Sequence, residues 1–530
     1  MIKKVSRRDF ARTSVAAGAA AVTLPSSILG NEPPAGTMSS AAAKGATAAK
    51  RRRLIPPPEV AYGGMSVTGR DLMLHNVQSA TQTETYPGGW LEGTTIPAEY
   101  YTEEKHYLND ERAIAENFWL MVDHQSRISK PGDYFVFEFG RGESLIIARA
   151  QDGAVKAFHN VCRHRGSRLC LHDFDGVLPS EAKSDGKPID PKLSVVQLGG
   201  SGNTPVFRCP YHAWTYDLQG SLVSVPPGMP TGFDLTQHGL HAAHVRLSEG
   251  FIFVSFARED PPDFDAFVTN WQSVCQDYGT AQLKVVARKK YPTKANWKLA
   301  LENFRECYHC QPSHTQSYFA VHNLQFLYLM TPDQRSRIEA ELARHGHPLA
   351  PPSASRSQAQ RRDDLVVEAP RGSGGMAGGY AGQHLPPGFV SGSIDGKPVA
   401  PLLPARKEWT HFSKYAATGF STSYLQAYDD HVAAARFTPR GVASTDVEIF
   451  WLVGADAKPN DVDVERMMAL WDRTYREDRW IVENNQHGLS NSRYAFKGGQ
   501  PYAANEGGPA GFVKWYMREV APHAGTSTGA

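Results

Sequence analysis

Cys162-Arg163-His164 and, farther along, Cys209-Pro210-Tyr211-His212 each pair a cysteine with a histidine at close spacing. Two loop tips that bring two thiolates and two imidazoles together make a four-donor metal site. Zinc accepts that set, and so does a [2Fe–2S] cluster in which two imidazoles replace two thiolates on one iron. A second constellation follows: Asn296-Trp297-Lys298, then Glu302-Asn303-Phe304-Arg305-Glu306-Cys307-Tyr308-His309-Cys310, then His314. His309 and His314 are five residues apart, about 140° around an ideal helix, so a helix through them is expected to end near Pro312 to let both imidazoles converge. Two neutral imidazoles plus one carboxylate on a face of a non-haem Fe(II) leave positions open for oxygen and substrate. The carboxylate must come from elsewhere in the chain. Asp478, in Glu477-Asp478-Arg479-Trp480-Ile481-Val482-Glu483, is the first choice, with Glu477 and Glu483 as the next candidates.

These donors sit in a chain of 530 residues with 56 Lys+Arg, 54 Asp+Glu and 10% aromatics. Length implies about two to four domains with ample core. A net charge of +2 gives no footprint for nucleic acid. Six cysteines in so long a chain do not make a disulfide scaffold. No apolar run reaches the ~18 residues of a spanning helix, so no integral membrane segment is expected. Ser6-Arg7-Arg8-Asp9-Phe10, followed by an Ala-rich run from Thr13 to Leu24, resembles a twin-arginine export signal. Residues 1–30 are read as that signal, which would place the folded chain in the periplasm; unused, it would leave the chain in the cytoplasm. Residues 31–95 read as a linker and N-terminal extension.

The elements that must position the donors divide by pattern. Charged and apolar residues alternate at helical spacing from about Tyr100 to Phe118. Short β-rich runs follow, at Tyr134 to Phe139, Ser144 to Ala148, Ala154 to Phe158 and Phe251 to Phe256, separated by turn signals such as Pro131-Gly132 and Asp152-Gly153. Beyond about Val285 the pattern is mixed, with helices expected over Trp297 to Cys310, Val464 to Asn485 and Phe512 to Val520, and a strand over Val447 to Val453. Residues 327–408, rich in Pro, Gly and Ser, read as a long surface insertion that begins with a helix from Thr331 to His345.

The residues around the cysteine–histidine pairs carry a resemblance. Phe158-His159-Asn160-Val161 before the first pair, His164-Arg165-Gly166 at its end, and Cys209 through Gly220 resemble the loops that bind a Rieske cluster. The pattern N-W-K…E-N-x-x-E-x-Y-H-x4-H, with Asp478 ahead of Asn485-Gln486-His487-Gly488, is similar to the catalytic domain of Rieske-type ring-hydroxylating oxygenase large subunits. One departure stands out: 44 residues separate His164 from Cys209, more than that family usually has, so residues 171–204 are read as an inserted loop. Cys170 lies outside both pairs and is expected to be packed.

The resemblance implies an α+β protein: a small all-β Rieske domain, taken with its N-terminal helix as residues 96–285, and a larger α+β catalytic domain over 286–530, with a central antiparallel sheet and surrounding helices. It implies a [2Fe–2S] cluster with one iron on Cys162 and Cys209 and the other on His164 and His212. It implies a mononuclear Fe(II) on His309, His314 and Asp478, with Glu306, in the bridging-carboxylate position, and Asn303 as catalytic residues. O2 would be the co-substrate, and electrons would come from NAD(P)H through a separate reductase. The assembly would be a homotrimer in which Glu306 joins His309 of one subunit to His212 of the next. Glu rather than Asp at 306, His212-Ala213-Trp214, and Glu483-Asn484-Asn485-Gln486-His487-Gly488 look most like the branch that demethylates or cleaves quaternary ammonium compounds such as glycine betaine, stachydrine or carnitine. A cationic substrate favours aromatic walls, for which Tyr424, Tyr428 and Trp409 are candidates. An aromatic-ring hydroxylase or O-demethylase would use the same irons. A Rieske electron-transfer protein would have no use for His309, His314 and Asp478. Export would place the enzyme where NADH is absent, so an exported electron donor would then be required.

Overall fold

The computed structural model describes residues 86–170, 200–306, 308–314, 336, 380–385, 388–417, 422–493, 499–503 and 506–522. The export-like segment, the expected helix at Thr331 to His345 apart from Ser336, and most of the 171–204 insertion lie outside them. Two helices come first, α1 (Glu99–Thr102) and α2 (Glu104–Asn117), separated by the extended residue Glu103. Then follow β1 (Leu120–His124), β2 (Asp133–Phe139), β3 (Glu143–Arg149), β4 (Val155–His159), β5 (Ser201–Asn203), β6 (Phe207–Arg208), β7 (Thr215–Tyr216), β8 (Leu222–Ser224), β9 (His244–Ser248) and β10 (Phe251–Ser255). These pair antiparallel in three small sheets, ordered β1-β10-β9, β4-β3-β2-β5 and β6-β7-β8.

Strands β2 and β3 are nearly continuous apolar runs because both of their faces are buried. With side chains alternating, Phe135, Phe137, Phe139, Leu145 and Ile147 enter the large core shared with the rest of the molecule. Tyr134, Val136, Ile146 and Ala148 enter a second core that also contains Cys162, Cys170, Cys209, Trp214 and Tyr216. The β2–β3 pair thus supplies the floor beneath the cysteine–histidine loops. Gly220 closes this unit: its φ is +86°, and a Cβ there would come within 2.4 Å of Phe158 Cε1.

The remaining elements are α3 (Phe264–Tyr278), β11 (Leu283–Thr293), α4 (Trp297–Asn303), α5 (Cys310–Ser313), β12 (Tyr380–His384), β13 (Phe412–Ala417), β14 (Ser423–Ala427), β15 (Val432–Gly441), β16 (Ser444–Gly454), α6 (Val464–Leu489) and α7 (Gly507–Trp515). The strands form one antiparallel six-stranded sheet, β11-β16-β15-β14-β13-β12, and α6 lies against β11 and α4. The expected all-β unit and the α+β unit with its antiparallel sheet are both present. No helix among the described residues is long and apolar enough to cross a membrane.

Three expectations need correction. The helix from Trp297 does not run to Cys310: it stops at Asn303, and a separate single turn spans Cys310–Ser313. Glu306 causes the break by folding its carboxylate back onto the backbone N–H groups of Tyr308 and His309, which an uninterrupted helix would have bonded internally. The 171–204 loop ends in a strand, because Ser201–Asn203 finds a partner in Asp133–Phe135. The 327–408 segment is not all surface insertion: Tyr380–His384 is the edge strand of the large sheet, and Ser391, Ser393, Val399 and Leu403 are buried.

Candidate active site

The first loop, Cys162 to Gly166, is held from beneath by Asn160. Its Oδ1 accepts from the N–H groups of Leu169 (3.0 Å) and Cys170 (2.9 Å), and its Nδ2 donates to Cys170 O (2.7 Å) and Ser144 Oγ (3.1 Å). Cys170 is packed at 0% exposure, as expected. The second loop turns at Ala213, whose φ of 56° is unusual for a residue with a side chain and sends Trp214 beneath the first loop. Trp214 stacks on the His164 ring at 4.8 Å and 4°, and the His164 and His212 rings are 4.8 Å apart. The Cys162 and Cys209 thiols share a hydrogen bond, which holds Cys209 down at about 5 and pushes Cys162 up. All four expected ligands therefore converge. The thiols are buried while His164 is exposed and His212 half-buried, so the imidazole side of the site faces outward. Two paired thiolates within and two imidazoles at the rim fit a Rieske [2Fe–2S] cluster.

Tyr216 Oη lies 3.3 Å from Cys162 Sγ and accepts from Arg163 N at 3.0 Å, so its proton is directed at the sulfur. Hydrogen bonds to cluster sulfurs raise the reduction potential. Tyr216→Phe is expected to lower it by about 40 mV, the equivalent of ~1 kcal/mol in a one-electron couple. A redox titration of the reduced cluster's paramagnetic signal checks this.

The second constellation is built on α4. Asn296 caps the helix, accepting from Lys298 N at 3.1 Å, and its Nδ2 donates to Tyr101 O (3.2 Å) and Val442 O (2.8 Å). Trp297 Nε1 donates to Asp110 Oδ2 at 3.0 Å, and the fully buried Lys298 ammonium pairs with the same carboxylate, also fully buried. The N-W-K triplet thus bolts α4 to α1, α2 and the large sheet. At its far end α4 presents Glu302 and Asn303. Burial pushes the Glu302 carboxyl up to about 7 against the lowering effect of the Tyr101 (2.7 Å) and Tyr502 (3.1 Å) hydroxyls. Between its unfolded value of 4.5 and about 7 the folded chain binds this proton more tightly than the unfolded chain. Stability from this group is therefore present below pH 4.5 and lost as pH rises through 7, by about 2 kcal/mol after allowance for screening. Glu302→Gln is expected to flatten that slope in denaturation midpoints measured across the range.

Past the break, His309 and His314 flank the short turn α5, with ring centroids 5.3 Å apart. His309 Nε2 is 3.2 Å and His314 Nε2 3.1 Å from one atom, Asp478 Oδ1, on α6. The two other ring nitrogens are also fixed: Glu306 Oε1 lies 2.5 Å from His309 Nδ1, and Glu477 Oε2 lies 2.8 Å from His314 Nδ1. Burial lowers the His309 pKa, but Asp478 and Glu306 together raise it to about 9; the same imidazoles hold the buried Asp478 carboxyl low. Two Nε2 atoms and a carboxylate facing one point, with both Nδ1 atoms oriented by outer carboxylates, fit a two-histidine, one-carboxylate iron site. Because metal binding must displace the imidazole protons, loading weakens as pH falls.

Cys310 Sγ is also near, 3.9 Å from His309 Nε2, but it is disulfide-bonded and so is not a thiolate donor. Asn303 Nδ2 lies 3.3 Å from the His309 ring nitrogens. Glu483 faces Lys294 N and Arg479 instead of the histidines, and Glu477 takes an orienting position rather than a ligand's. The alternative third ligands are thereby accounted for. Of the aromatic candidates, Tyr424 meets Phe304, the residue after Asn303, at 4.9 Å and Trp471 at 6.1 Å, and Tyr428 is fully buried; Trp409 has no part in the described ring contacts. Phe304 and Trp471, 5.9 Å apart, were not read from the sequence as site residues.

Comparison with known proteins agrees with this geometry. Residues 118–237 match the Rieske [2Fe-2S] domain, and residues 280–521 match the ring hydroxylating alpha subunit (catalytic domain). The glycine betaine monooxygenase oxygenase subunit of Chromohalobacter salexigens is 31% identical over 423 residues, covering 80% of this chain and 85% of that protein. Its counterpart in Pseudomonas aeruginosa is 28% identical over 433 residues, 81% of this chain and 90% of that one. Among solved structures, a quaternary ammonium Rieske monooxygenase studied for carnitine oxidation by gut microbiota superposes with a TM-score of 0.57, covering 83% of this chain and 100% of that chain at 20% identity. Naphthalene 1,2-dioxygenase from Rhodococcus sp. gives 0.53, covering 81% and 94% at 20% identity, so these two likenesses concern the fold alone. A cluster loop pair and an iron-type triad in one chain, in the order and spans of those domains, make this protein a member of the Rieske non-haem iron oxygenases, in the ring-hydroxylating alpha-subunit family.

Proposed function

We propose that the chain is the oxygenase component of a system that N-demethylates a quaternary ammonium compound of the glycine betaine or carnitine type. The observation that carries this reading is the group of rings Phe304, Tyr424 and Trp471, in mutual contact and built on the residue after Asn303 and on the helix that carries Asp478 about two turns farther on. Ring faces attract a quaternary ammonium by roughly 0.5–2 kcal/mol each. The relatives named for glycine betaine and carnitine monooxygenation support the same substrate class.

When bound, the two metal centres supply single-electron delivery and oxygen activation, so that an N-methyl C–H becomes C–OH with the second oxygen atom leaving as water. The N-hydroxymethyl product then breaks its C–N bond, giving formaldehyde, a tertiary amine and a proton. The chain's own residues orient these events. Glu306 and Glu477 keep the His309 and His314 Nε2 atoms turned toward Asp478. The aromatic group excludes water and holds the cation with a methyl toward the triad.

Electrons reach the cluster from a separate reductase, and the productive pair of metal sites spans two subunits of a homotrimer. The outward His212 of one subunit approaches Glu306 of the next. Glu306 already accepts from His309 Nδ1 and has lone pairs left for a second imidazole N–H. The segment Ser6 to Leu24 directs export by the twin-arginine route, and fractionation of cells expressing the full chain tests it.

Oxygen uptake by the reduced enzyme over a panel of methylammonium and aromatic compounds tests the substrate class. Stimulation by glycine betaine, stachydrine or carnitine is expected. Stimulation by aromatic compounds alone would replace this reading with ring hydroxylation or O-demethylation.

A further inference from the structure

Trp471, Thr474 and Asp478 follow one another at three- and four-residue spacing on α6, which places them on one face. Asp478 is the carboxylate on which both imidazoles converge. At the helical rise, Thr474 lies about 6 Å and Trp471 about 10 Å along the axis from it. Thr474 is 5% exposed, and its hydroxyl has no hydrogen-bond partner among the described residues. A threonine within a helix can donate to the carbonyl one turn back; this one does not, so a buried donor is left open one turn from the iron-type triad.

Tyr428, at the turn joining β14 to β15, is 0% exposed and packs with Leu470 of α6. The Trp471 indole lies against its hydroxyl, yet nothing among the described residues accepts the hydroxyl proton. The ring is clamped. His431, itself held by Asp430 at 2.8 Å, stacks on it at 4.8 Å and 27°, and a Cβ on Gly392 would come within 2.3 Å of Tyr428 Cζ. A rigid ring against Trp471 and a side chain on the same helix face thus each hold an unspent O–H on the side of α6 that carries Asp478. Buried hydroxyls are ordinarily bonded, so a pair left open beside an active site is suited to a ligand's acceptor.

We propose that Thr474 and Tyr428 form the anionic end of the substrate site and hydrogen-bond a carboxylate carried by the quaternary ammonium substrate. The proposal rests on the substrate class argued above and adds to it: the substrate is a zwitterion. At about 1.5 Å per bond, a carboxylate carbon two to four bonds from the ammonium nitrogen lies roughly 4–6 Å from a reacting methyl. That distance matches the offset of Thr474 from Asp478, with Tyr428 within reach of the longer substrates. Hydrogen bonds from neutral hydroxyls to an ionised carboxylate are the stronger, charge-assisted kind. Sites built on such donors discriminate sharply against analogues lacking the acceptor.

The test uses the full-length holoenzyme with its reductase and compares wild type with Thr474→Val, Thr474→Ser and Tyr428→Phe, each close to the native shape. The substrates are glycine betaine, the longer carnitine, and choline, which keeps the trimethylammonium group but has no carboxylate. Thr474→Val is expected to raise KM for glycine betaine, and Tyr428→Phe KM for carnitine, each on the order of 10-fold or more with a far smaller fall in kcat. Thr474→Ser, which keeps the hydroxyl, is expected to restore KM. Unchanged KM in both hydroxyl-deleting variants, or an equal loss toward choline, would overturn the carboxylate role; an internal water bridging the two hydroxyls would give the first of these results. A wild-type enzyme that oxidises no quaternary ammonium compound at all would instead remove the substrate class, and this inference with it.

Discussion

Asp478→Ala is expected to reduce turnover to background while leaving the cluster's spectrum intact. The variant deletes the one atom, Asp478 Oδ1, that lies 3.2 Å and 3.1 Å from the two Nε2 atoms. The loss should exceed about 100-fold, the upper end of what removal of an outer-shell partner costs, because a ligand rather than its support is removed. The cluster loops draw on a separate core around Trp214 and Tyr216, so nothing in their packing depends on Asp478. Iron analysis and the cluster's paramagnetic signal, read on the same sample, check both halves. Retained iron and retained activity would mean that the third ligand is another residue, with the adjacent Glu477 the first to test.

Glu306→Gln is the second large effect. Glu306 performs two tasks within one chain: Oε1 fixes His309 Nδ1 at 2.5 Å, and Oε2 takes the N–H groups of Tyr308 and His309. A glutamine preserves the shape but offers an N–H₂ group in place of one accepting oxygen, so either the His309 Nδ1–H or the backbone N–H groups of Tyr308 and His309 lose their acceptor. Both metals are expected to stay bound and the oligomer to stay assembled, while reoxidation of the reduced cluster slows by about 10- to 100-fold. Stopped-flow absorbance of the cluster, with light scattering for oligomeric state, reads the two separately. Unchanged reoxidation kinetics, or a fully active monomer, would remove the bridging role proposed for Glu306.

The parts of this site that were legible in the sequence are those in which function is written in local spacing. Cys162/His164 and Cys209/His212 lie on short loops, and a metal constrains each pair within a few residues, so the pattern survives without knowledge of the fold. His309 and His314 were legible for the same reason, but the backbone between them was not. The break after Asn303 depends on the Glu306 side chain competing for backbone N–H groups, and no periodicity records that competition. Asp478 and Glu477 are neighbours on a helix, about 100° apart, and only packing decides which one meets both imidazoles. Tyr380–His384 and Ser201–Asn203 have weak strand propensity, and their conformation is supplied by the partner strands β13 and β2. The hydroxyls of Thr474 and Tyr428 were beyond sequence reading altogether, because an unpaired donor is a property of its surroundings.

Product analysis after a single turnover decides whether this chain removes an N-methyl group from a quaternary ammonium compound. The full chain, loaded with both metals and chemically reduced, is mixed with oxygen and glycine betaine, and formaldehyde and the tertiary amine are quantified. The two are expected in equal amounts and only with oxygen present, and the Asp478→Ala protein is expected to give neither although its cluster is reduced to the same extent. Cluster oxidation without any formaldehyde, for every quaternary ammonium compound tried, would contradict N-demethylation.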